Sequence, residues 1–381
     1  MVRSSPRPWA CGSDCGCAGG SAHKPPGIAR RRLVLGGAAA GAAALAGCSA
    51  TPTTQTPPAA LTDASGPARR VDIHHHLSPP TWVAELRARG QIDPLVAAWT
   101  PQRSLADMDR AGIASAVLSI TTPGIYFANL DVATGRRLAR ESNEYAARLA
   151  ADTPGRFGFF AALPLLDIEG SLREITYALD VLKADGIGLI TSYGDKWLGD
   201  PLFFPVMEEL DRRKAVVYTH PTAANCCANL QPEIPPVMIE FGTDTTRTIA
   251  SILFNGNANR FRDIRWIFSH AGGTMPFLIE RFVRHPILVP KVAPWFPQGV
   301  GAELKRFYYD TAQTANAAAM SALTKVVPTS QIVLGTDYPY RTGLDHVKGL
   351  RDCGLFSDAD LNAIERETPL SLLPRLRHSS P

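Results

Sequence analysis

From residue 71 onward, short runs rich in β-branched and aromatic residues alternate with amphipathic stretches such as 134–151 and 202–213. The runs are apolar at nearly every position, which is typical of parallel strands covered on both faces. We therefore predict eight strands, at 71–76, 114–120, 157–164, 186–193, 215–220, 264–270, 307–311 and 332–337.

Eight strand–helix units over about 300 residues predict an α/β fold, a single (β/α)8 TIM-type barrel. An open, doubly wound sheet has the same alternation of strands and helices. Its dinucleotide-binding form usually carries a Gly-rich turn after the first strand, and the turn that follows 71–76 has no such pattern. We therefore favour the barrel, over residues 71–381.

The net charge of +4 comes from the N-terminal part of the chain. Residues 1–70 contain eight Lys or Arg and two acids, so residues 71–381 carry a net charge of −2. Nucleic-acid binding needs a basic surface, which this balance does not provide for the predicted barrel. We expect no nucleic-acid partner.

The N-terminal 47 residues have the order of an export signal: three arginines at 30–32, then a short run of Ala and Gly at 33–47. The arginine cluster resembles a twin-arginine signal, and Leu-Ala-Gly-Cys48 resembles a lipoprotein box with Cys48 as the lipidated residue. We expect an exported protein, and the lipoprotein-box resemblance implies a lipid anchor at the outer face of the membrane. The alternatives are a membrane-proximal or cryptic apolar segment, and a cytoplasmic protein if the N-terminus is mis-assigned. A true start nearer Arg30 would explain the long segment before the arginines. Residues 48–70, rich in Pro and Thr, predict a linker.

Ligand-type side chains stand at the predicted ends of four strands: His74 and His76, His220, His270 and Asp337. The C-terminal strand ends of a barrel converge on one mouth, and alternate strand residues such as His74 and His76 face the same side. Three imidazoles and one carboxylate suit Zn(II), with Mn(II) or Fe(II) as alternatives. One such residue alone would usually be structural, but five at successive strand ends predict a metal site.

Four motifs carry a family resemblance: Asp72-Ile-His-His-His, Thr219-His220-Pro, Ser269-His270-Ala-Gly-Gly and Gly335-Thr-Asp337-Tyr-Pro. They resemble the amidohydrolase-related branch of the metal-dependent amidohydrolase superfamily, which includes aminocarboxymuconate semialdehyde and γ-resorcylate decarboxylases. Three further phrases, at 196–200, 226–227 and 243–247, are similar to those of 6-methylsalicylate decarboxylases.

The resemblance implies a distorted barrel. It also implies a metal held by His74, His76, His220 and Asp337, with His270 beside it as a proton-transfer group. His270 and Asp337 are the candidate catalytic residues.

This resemblance favours non-oxidative decarboxylation of a small aromatic or muconate-like acid, of salicylate type. The alternative is hydrolysis of a lactone, amide or ester by metal-activated water. A binding protein without catalysis is a third possibility.

Candidate substrate contacts are aromatic residues in the loops and two possible carboxylate anchors: Tyr193, Trp197, Tyr338, Arg247 and Arg281. In decarboxylases of this group, an Arg with the spacing of Arg281 reaches the neighbouring subunit's site, which implies a homodimer. An ion pair is the alternative role for Arg247. The muconate-type enzymes carry an Arg where this chain has Ser104, with Arg103 one place away, so a muconate substrate is less favoured. The sparse Cys226, Cys227 and Cys353 predict packed thiols rather than a disulfide framework.

Overall fold

We describe a computed structural model, which covers residues 69–227, 230 and 233–379. The predicted signal segment, Cys48 and almost all of the predicted linker lie outside the described residues. Within the described ranges, no helix is both long enough and apolar enough to cross a membrane.

The described residues form ten strands, in chain order β1 Arg70–His76, β2 Ile113–Ser119, β3 Phe157–Ala162, β4 Gly186–Ile190, β5 Ser192–Tyr193, β6 Lys196–Trp197, β7 Val216–His220, β8 Arg265–Phe268, β9 Tyr308–Asp310 and β10 Ile332–Val333. Strands β5 and β6 form a separate antiparallel hairpin. The other eight are parallel neighbours in the order β1-β2-β3-β4-β7-β8-β9-β10.

The helices between and after the strands are α1 Pro80–Ala88, α2 Pro94–Ala98, α3 Pro101–Ala111, α4 Val132–Asp152, α5 Ile168–Thr176, α6 Phe204–Arg212, α7 Glu240–Phe254, α8 Asn257–Arg260, α9 Ile279–Leu288, α10 Val300–Leu304, α11 Ala317–Thr324, α12 Gly343–Asp352, α13 Asp358–Asn362 and α14 Thr368–Leu372. Two π-helical turns continue α5 and α13, at Tyr177–Val181 and Ala363–Glu367. Short 3₁₀ turns lie at Pro201–Phe203, Pro236–Met238, His270–Gly272, Pro290–Trp295, Thr329–Gln331 and Pro374–Ser379.

The segment after β10 brings the last strand against the first. The N–H of Ile73 donates to Leu334 O, and the N–H of Asp337 donates to His74 O, each at 2.9 Å. The result is a nearly closed barrel, which confirms the predicted (β/α)8 fold. Several strands end before their predicted bounds. Among them, β8 ends at Phe268 and β10 at Val333, so His270 and Asp337 lie just beyond these strands.

An apolar cluster lies next to the mouth of the barrel. Phe160 and Tyr218 stack with their ring centroids 5.2 Å apart, and Tyr218 also contacts the ring of His74. Further side chains of β1, β2, β7, β8 and β10 join this cluster, together with Leu370 and Leu372 of α14. Tight packing of this kind allows little adjustment, so the histidines rest on a rigid base.

Candidate metal centre and cavity

Three imidazoles and one carboxylate converge at the mouth of the barrel. One ligand-type atom from each of His74, His76, His220 and Asp337 lies within 4.8 Å of the others, and all four residues are buried. His74 Nε2 is 3.1 Å from His76 Nε2 and 3.1 Å from Asp337 Oδ1. Separations near 3 Å are those between neighbouring ligands of an ion with metal–ligand distances of about 2.1 Å. The donor set therefore fits a divalent metal.

The three imidazoles present the same nitrogen to the centre. Nδ1 of His74 is 2.8 Å from Asp310 Oδ2, Nδ1 of His220 is 2.8 Å from Pro221 O, and Nδ1 of His76 is 3.2 Å from Ser119 O. A proton on Nδ1 that is donated to oxygen leaves the lone pair on Nε2. Two such lone pairs facing each other repel unless a cation or a proton lies between them.

Local irregularity in β1 supports this placement. The register of β1 against β2 shifts between Asp72 and His75. The Oδ1 atom of Asp72 accepts the backbone N–H groups of His74 and Thr336, at 3.1 and 3.0 Å. A register shift of this kind re-aims side chains next to many active sites.

The electrostatics of the cluster separate the imidazoles into two kinds. Burial disfavours a charged His74, but the charges and hydrogen bonds of Asp310 and Asp337 outweigh it and raise the His74 pKa to about 10. Burial and the neighbouring imidazoles hold the pKa of His220 well below its usual value, and burial lowers that of His76. The Asp337 pKa is also well below its usual range, because the surrounding imidazoles outweigh its burial. At neutral pH these shifts favour a protonated His74 beside an ionised Asp337 in the metal-free cluster.

His270 lies beside the cluster rather than among its converging atoms. Its ring stacks on that of His74 with centroids 5.3 Å apart, and Nε2 is 3.5 Å from Asp337 Oδ2. Nε2 of His270 is buried and has no hydrogen-bond partner among the described residues. Both His270 (φ 53°) and Asp337 (φ 67°) adopt the left-handed backbone conformation, which is uncommon for non-glycine residues and concentrates at functional sites.

A cavity of about 410 Å³ opens onto His220 and Asp337, a volume in the range of small-molecule sites. Its walls combine apolar residues with a few polar ones, and they contain no Lys or Arg from the described part of the chain: Leu86, Gln91, Asp93, Val96, Thr121, Thr122, Pro123, Val237, Phe241, Gln313 and Tyr340. Among the described lining residues, a negatively charged ligand would therefore find no Lys or Arg as its partner.

The five predicted substrate contacts do not line this cavity. Three are occupied by structural contacts: the hydroxyl of Tyr193 accepts the N–H of Ile190, Trp197 Nε1 donates to Asp244, and Tyr338 stacks on His75.

The two arginines are also elsewhere. Arg247 pairs with Glu240 at 3.3 Å, as the alternative role predicted. Arg281 is exposed on α9, in a separate depression with Phe277 and Leu288.

Ser104, which stands where the muconate-type enzymes carry an Arg, is fully buried. The Oγ atom of Ser104 bonds to His75 Nε2, and Asp72 Oδ2 bonds to His75 Nδ1. All three residues are shielded from solvent, so this Asp–His–Ser arrangement is structural and not a nucleophile site. Arg103 is exposed and donates to Ala98 O.

The cysteines that the structure describes, Cys226, Cys227 and Cys353, are all free thiols. Cys226 Sγ and Cys227 Sγ are 2.9 Å apart in the loop after β7, outside the cavity lining.

Comparisons with known proteins identify the family. The amidohydrolase family model matches residues 71–375. The chain belongs to this family. A decarboxylase of Aspergillus niger is 35% identical over 81% of this chain and 88% of its own length. The 6-methylsalicylic acid decarboxylase of Aspergillus aculeatus is 34% identical over 81% of this chain and 97% of its own.

Among solved structures, the 5-carboxyvanillate decarboxylase of Novosphingobium aromaticivorans, complexed with manganese and a nitrobenzoic acid, matches with a TM-score of 0.71. It is 19% identical and covers 80% of this chain and 96% of its own. This similarity supports the fold, while the relatives above confirm the predicted carboxy-lyase class. The family and its fold were predicted correctly from the motifs.

Sequence reasoning missed two polar neighbours of the cluster. Asp310 ends β9, and the rule that selected His220, a ligand-type residue at a strand end, also applies to it. Gln313, which donates from Nε2 to Asp337 Oδ2 at 2.9 Å, lies in the loop after β9 and has no corresponding sequence signal.

Proposed function

We propose that this enzyme decarboxylates a small ortho-hydroxybenzoic acid of salicylate type, at a divalent metal held by His74, His76, His220 and Asp337. One observation carries the proposal. Four buried ligand groups stand at one end of a cavity whose described lining is largely apolar and holds no Lys or Arg, so a divalent metal bound there would supply the positive charge at that end. A planar acid with one anionic edge and an apolar ring matches both features.

A divalent metal held by His74, His76, His220 and Asp337 would supply positive charge to the anionic edge of the substrate. The chain supplies orientation and water exclusion: Leu86, Val96 and Phe241 give the ring an apolar surface. Breaking the bond between ring and carboxylate releases CO2 and leaves the electron pair on the ring carbon, which then takes a proton.

His270 is the proposed proton donor for that carbon. Its Nε2 has no hydrogen-bond partner among the described residues and lies 3.5 Å from Asp337 Oδ2, while its backbone N–H is fixed by Asp310 Oδ1 at 2.8 Å. An imidazole that is held in place but has a ring nitrogen without a hydrogen-bond partner is suited to general acid–base catalysis. Asp337 is the second candidate, because Oδ2 lies on the same side as His270.

For the metal itself, we propose Zn(II) from the three-nitrogen, one-oxygen donor set. Mn(II) is the alternative, since the structurally similar carboxyvanillate decarboxylase was solved with manganese. Loading metal-free protein with each ion in turn, and comparing kcat/KM at equal occupancy, decides between them.

We further propose a homodimer in which Arg281 acts in the partner's site. Phe277 and Leu288, which line the same depression as Arg281, are 88% and 68% exposed, and such exposed apolar side chains favour association. The absence of Lys and Arg from the described cavity lining leaves a place for such a carboxylate anchor. Arg281→Ala should raise KM without changing metal content; an unchanged KM in a protein that stays dimeric would contradict this role.

The reaction is tested by incubating metal-loaded enzyme with carboxyl-¹³C-labelled salicylate and 6-methylsalicylate, and in parallel with aryl lactones. We expect labelled CO2 and the corresponding phenol, both abolished in His220→Ala, which loses a metal ligand. Ring opening of the lactones, with no CO2 released from the salicylates, would show that the enzyme is a hydrolase and contradict the proposed decarboxylation. The tested 6-methyl compound is chosen because the Aspergillus aculeatus relative is named for it.

A further inference from the structure

Gln313 combines two unusual features at the edge of the cavity. Its Nε2 donates a hydrogen bond to Asp337 Oδ2 at 2.9 Å, and its side chain is part of the cavity lining. Its backbone adopts φ 55°, the left-handed conformation that costs a residue with a side chain free energy relative to glycine. A residue held there against its backbone preference is a candidate for a role that needs its side chain.

The hydrogen bond distinguishes the two oxygens of Asp337. Oδ1 is 2.9 Å from His76 Nε2 and 3.1 Å from His74 Nε2, so it faces the converging imidazoles. Oδ2 faces away, toward Gln313, with His270 Nε2 at 3.5 Å. The contact with His270 is too long for a strong hydrogen bond, so the Gln313 amide is the main group that fixes Oδ2.

We propose that Gln313 is a positioning residue for Asp337. It holds the carboxylate so that Oδ1 is presented to the metal and Oδ2 stays beside His270. This inference rests on the proposed metal centre but does not depend on whether the reaction is decarboxylation or hydrolysis. It adds a residue from the loop after β9 to the four that would touch the ion.

The backbone strain makes a clean test possible. Gln313→Gly removes the amide and relieves the left-handed φ, whereas Gln313→Ala removes the amide and keeps the strain. A merely structural role predicts that stability and function fall together. A positioning role predicts that Gln313→Gly has a higher Tm than the wild type but a lower metal affinity and a lower kcat.

Lys183→Gly is the matched control. Lys183 also has a left-handed backbone, at φ 59°, but it is exposed in the turn before β4 and is not among the residues that line the cavity. The Lys183→Gly substitution should raise Tm by about 2 °C, as is also expected for Gln313→Gly. Metal affinity and turnover in this variant should equal those of the wild type.

The measurements are the metal dissociation constant by competition with a chelating dye, Tm of the metal-free protein, and kcat and KM. We expect both Gln313 variants to bind metal roughly 10-fold or more weakly and to lose kcat roughly 10- to 100-fold, with KM within about twofold. Only Gln313→Gly should gain Tm.

Unchanged metal affinity and kcat in Gln313→Gly would overturn the proposal, as would a fall in Tm that accompanies the losses. If the wild type itself binds no metal, the proposed metal centre fails, and the positioning role fails with it. If the wild type binds metal and the variants match it, only the role of Gln313 is lost.

Discussion

Asp310 offers a sharp test because its two oxygens satisfy three donors in a fully buried place. Oδ2 accepts from His74 Nδ1 at 2.8 Å, and Oδ1 accepts from the N–H groups of His270 at 2.8 Å and Ala312 at 3.0 Å. Asp310→Asn keeps the shape but leaves one acceptor oxygen and adds two N–H donors. In either amide orientation, at least one buried donor must then face another donor.

The cost can be estimated for each orientation. If the amide oxygen faces the backbone, its NH2 group faces His74 Nδ1, and the proton of His74 is driven to Nε2, the atom needed for the metal. If the oxygen faces His74, two backbone N–H groups lose their acceptor. Losing a hydrogen bond to a buried charged group costs about 1.5–3 kcal/mol, which corresponds to roughly 10- to 100-fold in metal affinity.

The assay measures the metal dissociation constant, metal content per chain and kcat/KM of purified Asp310→Asn. Asp352→Asn, which removes an exposed carboxylate paired with Lys348, is the control and should leave all three unchanged. A folded Asp310→Asn protein with wild-type metal affinity and turnover would refute the reasoning that Asp310 orients His74 toward a metal.

Two further predictions concern the same site, and a third concerns the N-terminal segment. His270→Ala should keep its metal and lose kcat by roughly 10²–10⁴-fold, the usual contribution of a positioned acid or base; parallel loss of metal, measured per chain, would make His270 a ligand instead. Because the pKa of His74 is raised to about 10 in the metal-free cluster, metal binding near pH 8 should release about one proton, and this release should disappear as pH rises through 10. Calorimetry in buffers of different ionisation enthalpy measures it, and no release at pH 8 would contradict the assignment. For the N-terminal segment, we propose that a reporter fused behind residues 1–60 is exported only when Arg30–Arg32 are intact; undiminished export of the Lys-substituted form would indicate another route.

The fold could be predicted because its signal is repeated eight times. Each strand is a short apolar run buried on both faces, and the observed bounds differ from the predicted ones mainly at the C-terminal ends. Strand ends are where backbone irregularity accumulates. His270 and Asp337 leave the sheet through left-handed conformations, which no periodicity of apolar residues reveals.

The candidate metal ligands could be found for a different reason: their residue types are rare in a barrel interior and recur at strand ends. The five candidate substrate contacts rested on a less specific signal, because an aromatic side chain near a site has many possible partners, and none of the five lines the cavity. Tyr338 packs on His75, and Trp197 is held by Asp244; both contacts depend on distant segments of the chain. Gln313 could not be predicted from the sequence, because its proposed role depends on one hydrogen bond to Asp337 that forms only in the folded loop.

We propose that one divalent ion binds at the mouth of the barrel to His74, His76, His220 and Asp337. Anomalous diffraction from crystals of the metal-loaded enzyme would locate this ion. We expect a single strong peak about 2.0–2.3 Å from the three Nε2 atoms and from Asp337 Oδ1. A strong peak elsewhere, for example at Cys226 and Cys227, with none between these four residues, would contradict it.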